Sequence, residues 1–158
     1  MPRWLEHRIP PPVIDLAFAT LMWWLARALP QARLWPRGGG WLVWVAAIAL
    51  ALAGALIALA GVREFARART TINPLAPERA SRMVSSGIFS RTRNPMYLGM
   101  LLALAGWAVW LGNAAAWLAL PLFVAVLTVL QIRPEERALR QRFGAQFDHY
   151  AARVRRWL

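Results

Sequence analysis

The chain has 158 residues, 59% of them apolar, with a mean hydropathy of +0.39 and ten tryptophans. Soluble domains are about 45–50% apolar, and here the apolar residues are gathered in long blocks, so a membrane protein is expected. The net charge of +12 comes from nineteen arginines against seven acids, with no lysine. The arginines stand in the gaps between apolar blocks, which points to anionic lipid headgroups and topology control and away from nucleic acid. There is no cysteine, which excludes a disulfide partner, a thiolate metal site and a cysteine nucleophile.

Residues 1–12 hold Arg3, Arg8 and Pro10-Pro11-Pro12, too polar and stiff to open a signal peptide. Residues 13–29 run mostly apolar, with Trp23 and Trp24, a short span against the ~20 residues that cross ~30 Å of hydrocarbon. Residues 30–40, with Pro30, Pro36 and Gly38-Gly39-Gly40, read as a turn, because no strand and helix flank the glycines as in a phosphate-binding loop. Residues 41–60 form the clearest span, uncharged and with tryptophans at one end. Gly54 and Ala58, four apart within it, allow another helix backbone to approach closely. Residues 61–94 follow with seven arginines and two glutamates. This connector begins helically through Arg67 and is expected to break at Thr70-Thr71-Ile72-Asn73-Pro74.

Pro95 suits the first turn of a helix, where its missing N–H costs nothing. Residues 96–111 are then apolar throughout, and Gly112-Asn113 makes a short uncharged turn. Residues 114–132 run back, with a kink expected at Pro121, so the pair reads as a tight antiparallel hairpin. Pro134 is expected to open a last helix, with Glu135 and Glu136 in its first turn, where the helix dipole favours acids. Leu139, Phe143, Phe147, Tyr150 and Val154 make one apolar stripe against an arginine-rich face. That pattern predicts a single amphipathic helix over 134–158, on the membrane or over the hairpin, with Gly144 marking a bend.

The fold class expected is therefore an all-α integral membrane protein of about four transmembrane helices. It divides into an N-terminal two-helix region, 1–60, and a core, 61–158, made of the connector 61–94, the hairpin 95–132 and the helix 134–158. An even number of spans puts both termini on one side. The N-terminus, the connector and the tail hold two, seven and seven arginines, so the positive-inside rule places all three in the cytoplasm.

Two polar clusters stand at the ends of the hairpin. Arg93-Asn94-Pro95-Met96-Tyr97 precedes its first helix and Arg133-Pro134-Glu135-Glu136 follows its second, so a hairpin brings both to one membrane face. Alone, the first reads as an interfacial anchor, and the second as a favourable helix start with an ion pair from Glu136 to Arg140. Together they describe a pocket with carboxylates, an amide, a phenol and apolar walls, suited to a ligand that is part polar and part cationic. Paired carboxylates facing lipid are costly without such partners.

The order Gly87…Arg93-Asn94-Pro95-Met96-Tyr97-Leu98-Gly99, Arg133-Pro134-Glu135-Glu136, Phe143-Gly144 and Tyr150 resembles the isoprenylcysteine carboxyl methyltransferase family. It is similar also to the related phospholipid methyltransferases, and the resemblance covers roughly residues 60–158. It implies S-adenosylmethionine at the cytosolic end of the hairpin. Gly87, Arg93, Asn94, Pro95, Tyr97, Gly99, Glu135 and Glu136 would form the cofactor site. Arg133 would be the catalytic residue, beside the reacting carboxylate, with Arg133 and Tyr150 touching substrate. Asn94 stands where the family usually has histidine, and Phe89 and Phe147 where tyrosine is common. Asparagine keeps a donor and an acceptor but cannot titrate.

The function expected is methyl transfer to a lipophilic substrate entering from the bilayer, either an isoprenylcysteine-type carboxylate or a phospholipid amine. The other expected contacts are membrane lipids. A carboxylate needs no general base, whereas an amine must lose a proton, for which His149 is the nearest candidate. Two further readings stand beside this one: an NADPH-dependent reductase like the sterol reductases, and a non-catalytic membrane scaffold.

Overall fold

The computed structural model describes residues 9–69 and 82–158. The N-terminal arginines Arg3 and Arg8 and the break expected at 70–74 lie outside the described residues. The described chain is all-helical: α1 (Pro11–Ala28), α2 (Trp41–Ala68), α3 (Pro95–Leu111), α4 (Ala114–Leu127), α5 (Arg133–Phe143) and α6 (Ala145–Arg153). A 3₁₀ turn, Gly87–Ser90, precedes α3.

Two of these stretches are long and apolar enough to cross a membrane: Trp41–Ala68 and Ala114–Phe143. α3 is a shorter apolar helix. The outer face of α2 is bare, with Trp41, Leu42, Leu52 and Leu56 all more than half exposed. An apolar face of that size left open to water is unfavourable, and hydrocarbon is the medium that suits it.

α2 and α3 run antiparallel in close contact, and small residues make that possible. A Cβ added at Gly99 would stand 2.5 Å from the Gly54 carbonyl oxygen, and one at Gly106 would stand 2.6 Å from that of Ala47. At the far end of the same seam, a Cβ at Gly61 would meet Pro95 Cγ at 2.9 Å. The close approach expected at Gly54 and Ala58 is thus realised against α3. α1 lies across α3 and α4, and its Ile14, Phe18, Met22 and Ala26 enter a core with Leu104, Leu111, Phe123 and Leu127. Phe18 and Phe123 meet edge to face at 5.3 Å.

The hairpin turn forms where the sequence places it. Asn113 caps α4, its Oδ1 accepting from the Ala115 N–H at 2.9 Å, while its Nδ2 donates to the Leu29 carbonyl at 2.8 Å. The loop before α2 packs onto this end, with Leu34 N–H donating to the Gly112 carbonyl at 2.8 Å.

Two expectations are corrected. The second hairpin helix does not stop before Pro134: it runs through a π turn, Thr128–Ile132, directly into α5, and passes Pro121 without interruption. Pro134 has no N–H to return to the preceding turn, and the wider π turn just before it absorbs that missing bond. The tail is not one helix either. Gly144, at φ +53 and ψ −128, ends α5 and starts α6 on a new axis, and α6 itself ends at Arg153. Residues 154–158 return towards the start of α3.

Candidate active site at the mouth of the hairpin

The loop before α3 and the first turn of α5 come together, as the hairpin requires. Arg93 Nη2 donates to Glu136 Oε1 at 2.8 Å, and the Tyr97 hydroxyl donates to Glu135. Proline at the start of α3 fixes where that helix begins and leaves Arg93 and Asn94 just before it, while Glu135 and Glu136 follow the π turn inside the continuous α4–α5 run.

The two adjacent glutamates have different surroundings. Glu136 is buried and accepts from two arginines: Arg93, and Arg156 through Nε at 2.9 Å and Nη2 at 2.8 Å. Glu135 is half-buried, accepts from Tyr97, and pairs with no arginine among the described residues. One carboxylate is therefore over-compensated and its neighbour is not compensated at all.

Arg93 is held from several sides. Its Nη1 donates to the Ala151 carbonyl at 3.1 Å and its backbone N–H to the Arg155 carbonyl at 3.0 Å. Burial lowers its guanidinium from the ordinary arginine value, with the Glu136 charge acting in the opposite sense. The Glu136 hydrogen bond instead holds Arg156 above that value. Asn94 is buried; its Nδ2 donates to the Arg156 carbonyl at 2.9 Å, which Thr92 Oγ1 also reaches, at 3.2 Å.

Tyr150 closes the site from α6, donating to the Phe89 carbonyl at 2.7 Å. Burial pushes its phenol up to about 12, partly offset by the charge of Arg93, so it stays a donor at neutral pH. Phe89 packs edge to face on Phe65 at 5.1 Å, and Phe147 is likewise buried. Both are core residues.

A model of the family described as phospholipid methyltransferase matches residues 42–146, which run from the start of α2 to the first two residues of α6 and leave out α1, the rest of α6 and the tail. The chain belongs to the phospholipid methyltransferase family. A protein from rice (Oryza sativa, subspecies indica) named a probable protein-S-isoprenylcysteine O-methyltransferase is 27% identical over 143 residues, covering 90% of this chain and 72% of its own. The japonica subspecies has a counterpart with the same figures. An uncharacterized protein from Haemophilus influenzae is 46% identical over 63 residues, 40% of this chain and the whole of that one. No solved structure matches. The family and the two long apolar helices make this chain a membrane methyltransferase by class.

Of the residues expected in a phospholipid methyltransferase-like site, Arg93, Asn94, Tyr97, Glu135, Glu136 and Tyr150 gather at the hairpin mouth. Arg133 sits one turn ahead of Glu136, is exposed, and makes no hydrogen bond or ion pair among the described residues. Pro95 and Gly99 lie on the α2–α3 seam, facing Gly61 and Gly54. Gly87, at φ +56, rests directly on Glu64: an added Cβ would stand 2.6 Å from its Cδ. The ion pair expected between Glu136 and Arg140 is not formed; Arg140 Nε pairs with Asp148 at 2.7 Å. Glu136 is taken by the more buried Arg93, and the turn at Gly144 brings Asp148 to Arg140.

Three contributors carried no sequence signal of their own. Arg156 was one arginine among seven in the tail, and Thr92 one hydroxyl in a polar loop. Glu64 was an acid in a helix, yet it is buried and accepts from Ser86 Oγ and Arg67 Nη1, both at 2.7 Å. The hint available for Glu64 was its place three residues after Gly61, at the end of the glycine-bearing apolar run.

Proposed function

We propose that this chain transfers a methyl group from S-adenosylmethionine to a lipophilic carboxylate at the cytoplasmic mouth of the hairpin. The observation that carries the reading is Glu135: a half-buried carboxylate bonded to Tyr97, with acceptor capacity left over and no arginine paired with it among the described residues. Such a group suits a ligand bearing a positive charge. S-adenosylmethionine supplies a methyl group on a sulfonium sulfur, which leaves as a neutral thioether when the acceptor oxygen takes the methyl.

The residues of this chain would then orient and shield. Glu135 with Tyr97, and Glu136 next to Glu135 in the chain, would hold the two cationic groups of the cofactor, the sulfonium and the ammonium, with the Asn94 amide at the same mouth. Arg133, exposed and without a partner among the described residues, would grip the acceptor carboxylate bidentately. Displacement at a sulfonium asks mainly for alignment and the exclusion of water. A carboxylate acceptor is favoured over a phospholipid amine because an amine must first lose a proton. His149, the histidine among the described residues, lies exposed on α6. Four spans with both termini in the cytoplasm complete the proposed topology, since the arginine-rich segments then share the side of the site.

The test is binding of S-adenosylhomocysteine to the detergent-purified protein by calorimetry, beside Glu135→Gln and Tyr97→Phe. Saturable binding that weakens in both variants supports the reading. Binding of NADPH with none of S-adenosylhomocysteine would replace it with a reductase.

A further inference from the structure

Residues 154–158 leave α6 as a non-helical segment, with Val154 at φ −118 and ψ 130, and reach the mouth of the hairpin. Their backbone is caught by the loop before α3. Arg93 N–H donates to the Arg155 carbonyl, and Thr92 Oγ1 and Asn94 Nδ2 both donate to the Arg156 carbonyl. The Arg156 side chain then turns inwards and grips both oxygens of Glu136. Asn94 and Glu136 are two of the residues assigned above to the cofactor site, and both are already engaged by this segment.

The two arginines on Glu136 are not equivalent. The Arg93 side chain is 12% exposed and is tied down by Ala151 and by its own backbone. The Arg156 side chain is 41% exposed and approaches from the solvent side. One arginine already neutralises one carboxylate, so the second makes the pair net positive and repels an incoming cation. A half-exposed ion pair is also weak, of the order of 1 kcal/mol or less. The side-chain hold is therefore exchangeable, while the bonded Arg155 and Arg156 carbonyls and Trp157, packed against the core, keep the segment ordered.

We infer that residues 154–158 form a strap over the site, with Arg156 serving as an internal cation that a cationic ligand must displace from Glu136. This rests on the cofactor reading above, but the strap itself can be tested without a ligand. Loading the site exchanges the Arg156 guanidinium for the ligand's α-ammonium, which S-adenosylmethionine and S-adenosylhomocysteine both carry, and the released Arg156 side chain loosens the strap. The apparent affinity is then reduced by the fraction of time the strap is closed.

The experiment follows tryptic cleavage after Arg155 and Arg156 by mass spectrometry, in the full-length detergent-solubilised protein, with and without S-adenosylhomocysteine. Glu136→Gln is expected to speed cleavage there without any ligand. Arg156→Gln, which leaves the Arg93–Glu136 pair intact, provides a folded comparison and is expected to speed cleavage after Arg155. S-adenosylhomocysteine is expected to speed cleavage of the wild type, and Arg156→Gln to bind it about fivefold more tightly, the worth of one half-exposed ion pair. Unchanged cleavage in both variants overturns the strap. Protection by S-adenosylhomocysteine, or weaker binding in Arg156→Gln, overturns the exchange and makes the segment a fixed wall. No binding to wild type or variant overturns the cofactor reading and the displacement with it, even where Glu136→Gln still frees the strap.

Discussion

Arg93 and Glu136 lie 43 residues apart and meet at 2.8 Å, each with a side chain only 12% exposed. This contact joins the loop before α3 to the first turn of α5, so it sets the geometry of the hairpin mouth. Removing one partner of a buried pair leaves the other charge uncompensated, which costs about 3 kcal/mol or more. Glu136→Ala, which strands the buried Arg93, is expected to lower stability by about that amount, and Arg93→Ala by less, because Arg156 still pairs with Glu136. The double variant should lose clearly less than the sum, because no buried lone charge is left. A cycle from thermal unfolding in detergent with a coupling under about 0.5 kcal/mol would show the pair to be incidental.

Gly87 combines two constraints that mutagenesis can separate. Its φ of +56 disfavours any side chain, and its Cα faces Glu64 with no room for a Cβ. Gly87→Ala should cost about 1 kcal/mol in a Glu64→Ala background, from the backbone alone, and more in the wild type. Equal costs in both backgrounds would mean that Glu64 simply moves aside.

The α2–α3 seam predicts a contrast along the apolar helices. Gly99→Leu forces a side chain into the Gly54 backbone and is expected to destabilise by about 1–3 kcal/mol or more, or to prevent folding. Leu118→Ala, at a site 73% exposed, should change the unfolding temperature little. Similar losses from both would place the packing surface elsewhere.

Alkaline pH tests the closure by Tyr150. In the folded protein its phenol titrates near 12, against an ordinary 10.0. The unfolded chain therefore releases this proton first, so the contribution is whole below pH 10 and lost as pH rises towards 12. Tyr150→Phe should flatten the decline in unfolding temperature across that window. A decline as steep in the variant would assign it to other groups.

Arg133 separates acceptor from cofactor. Arg133→Ala is expected to leave S-adenosylhomocysteine affinity within about twofold and to slow methylation of a prenylated cysteine carboxylate by about tenfold to a hundredfold, the value of a hydrogen bond to a charged group. Loss of cofactor affinity instead would move Arg133 to the other side of the reaction.

Much of the architecture was legible because it depends on short-range rules. The apolar runs define helices by length alone, Pro95 and Asn113 mark helix starts, and Gly112-Asn113 leaves no room for anything but a hairpin. Once the hairpin is granted, the meeting of Arg93 and Tyr97 with Glu136 and Glu135 follows from chain geometry. The small residues of α2 likewise announced a close helix contact, since only a missing side chain permits one.

What only the tertiary structure decided was the choice among partners. Local spacing offered Glu136 to Arg140, four residues on, but a surface pair at that spacing is worth only tenths of a kcal/mol. Burial against Arg93 outweighed it, and Gly144 redirected the chain so that Asp148 took Arg140 and residues 154–158 came back across the mouth. Nineteen arginines of one type carry no mark in the sequence of which will be buried. That is settled by which of them the packed helices leave without water, and at the mouth of the hairpin it is Arg93 and, in part, Arg156.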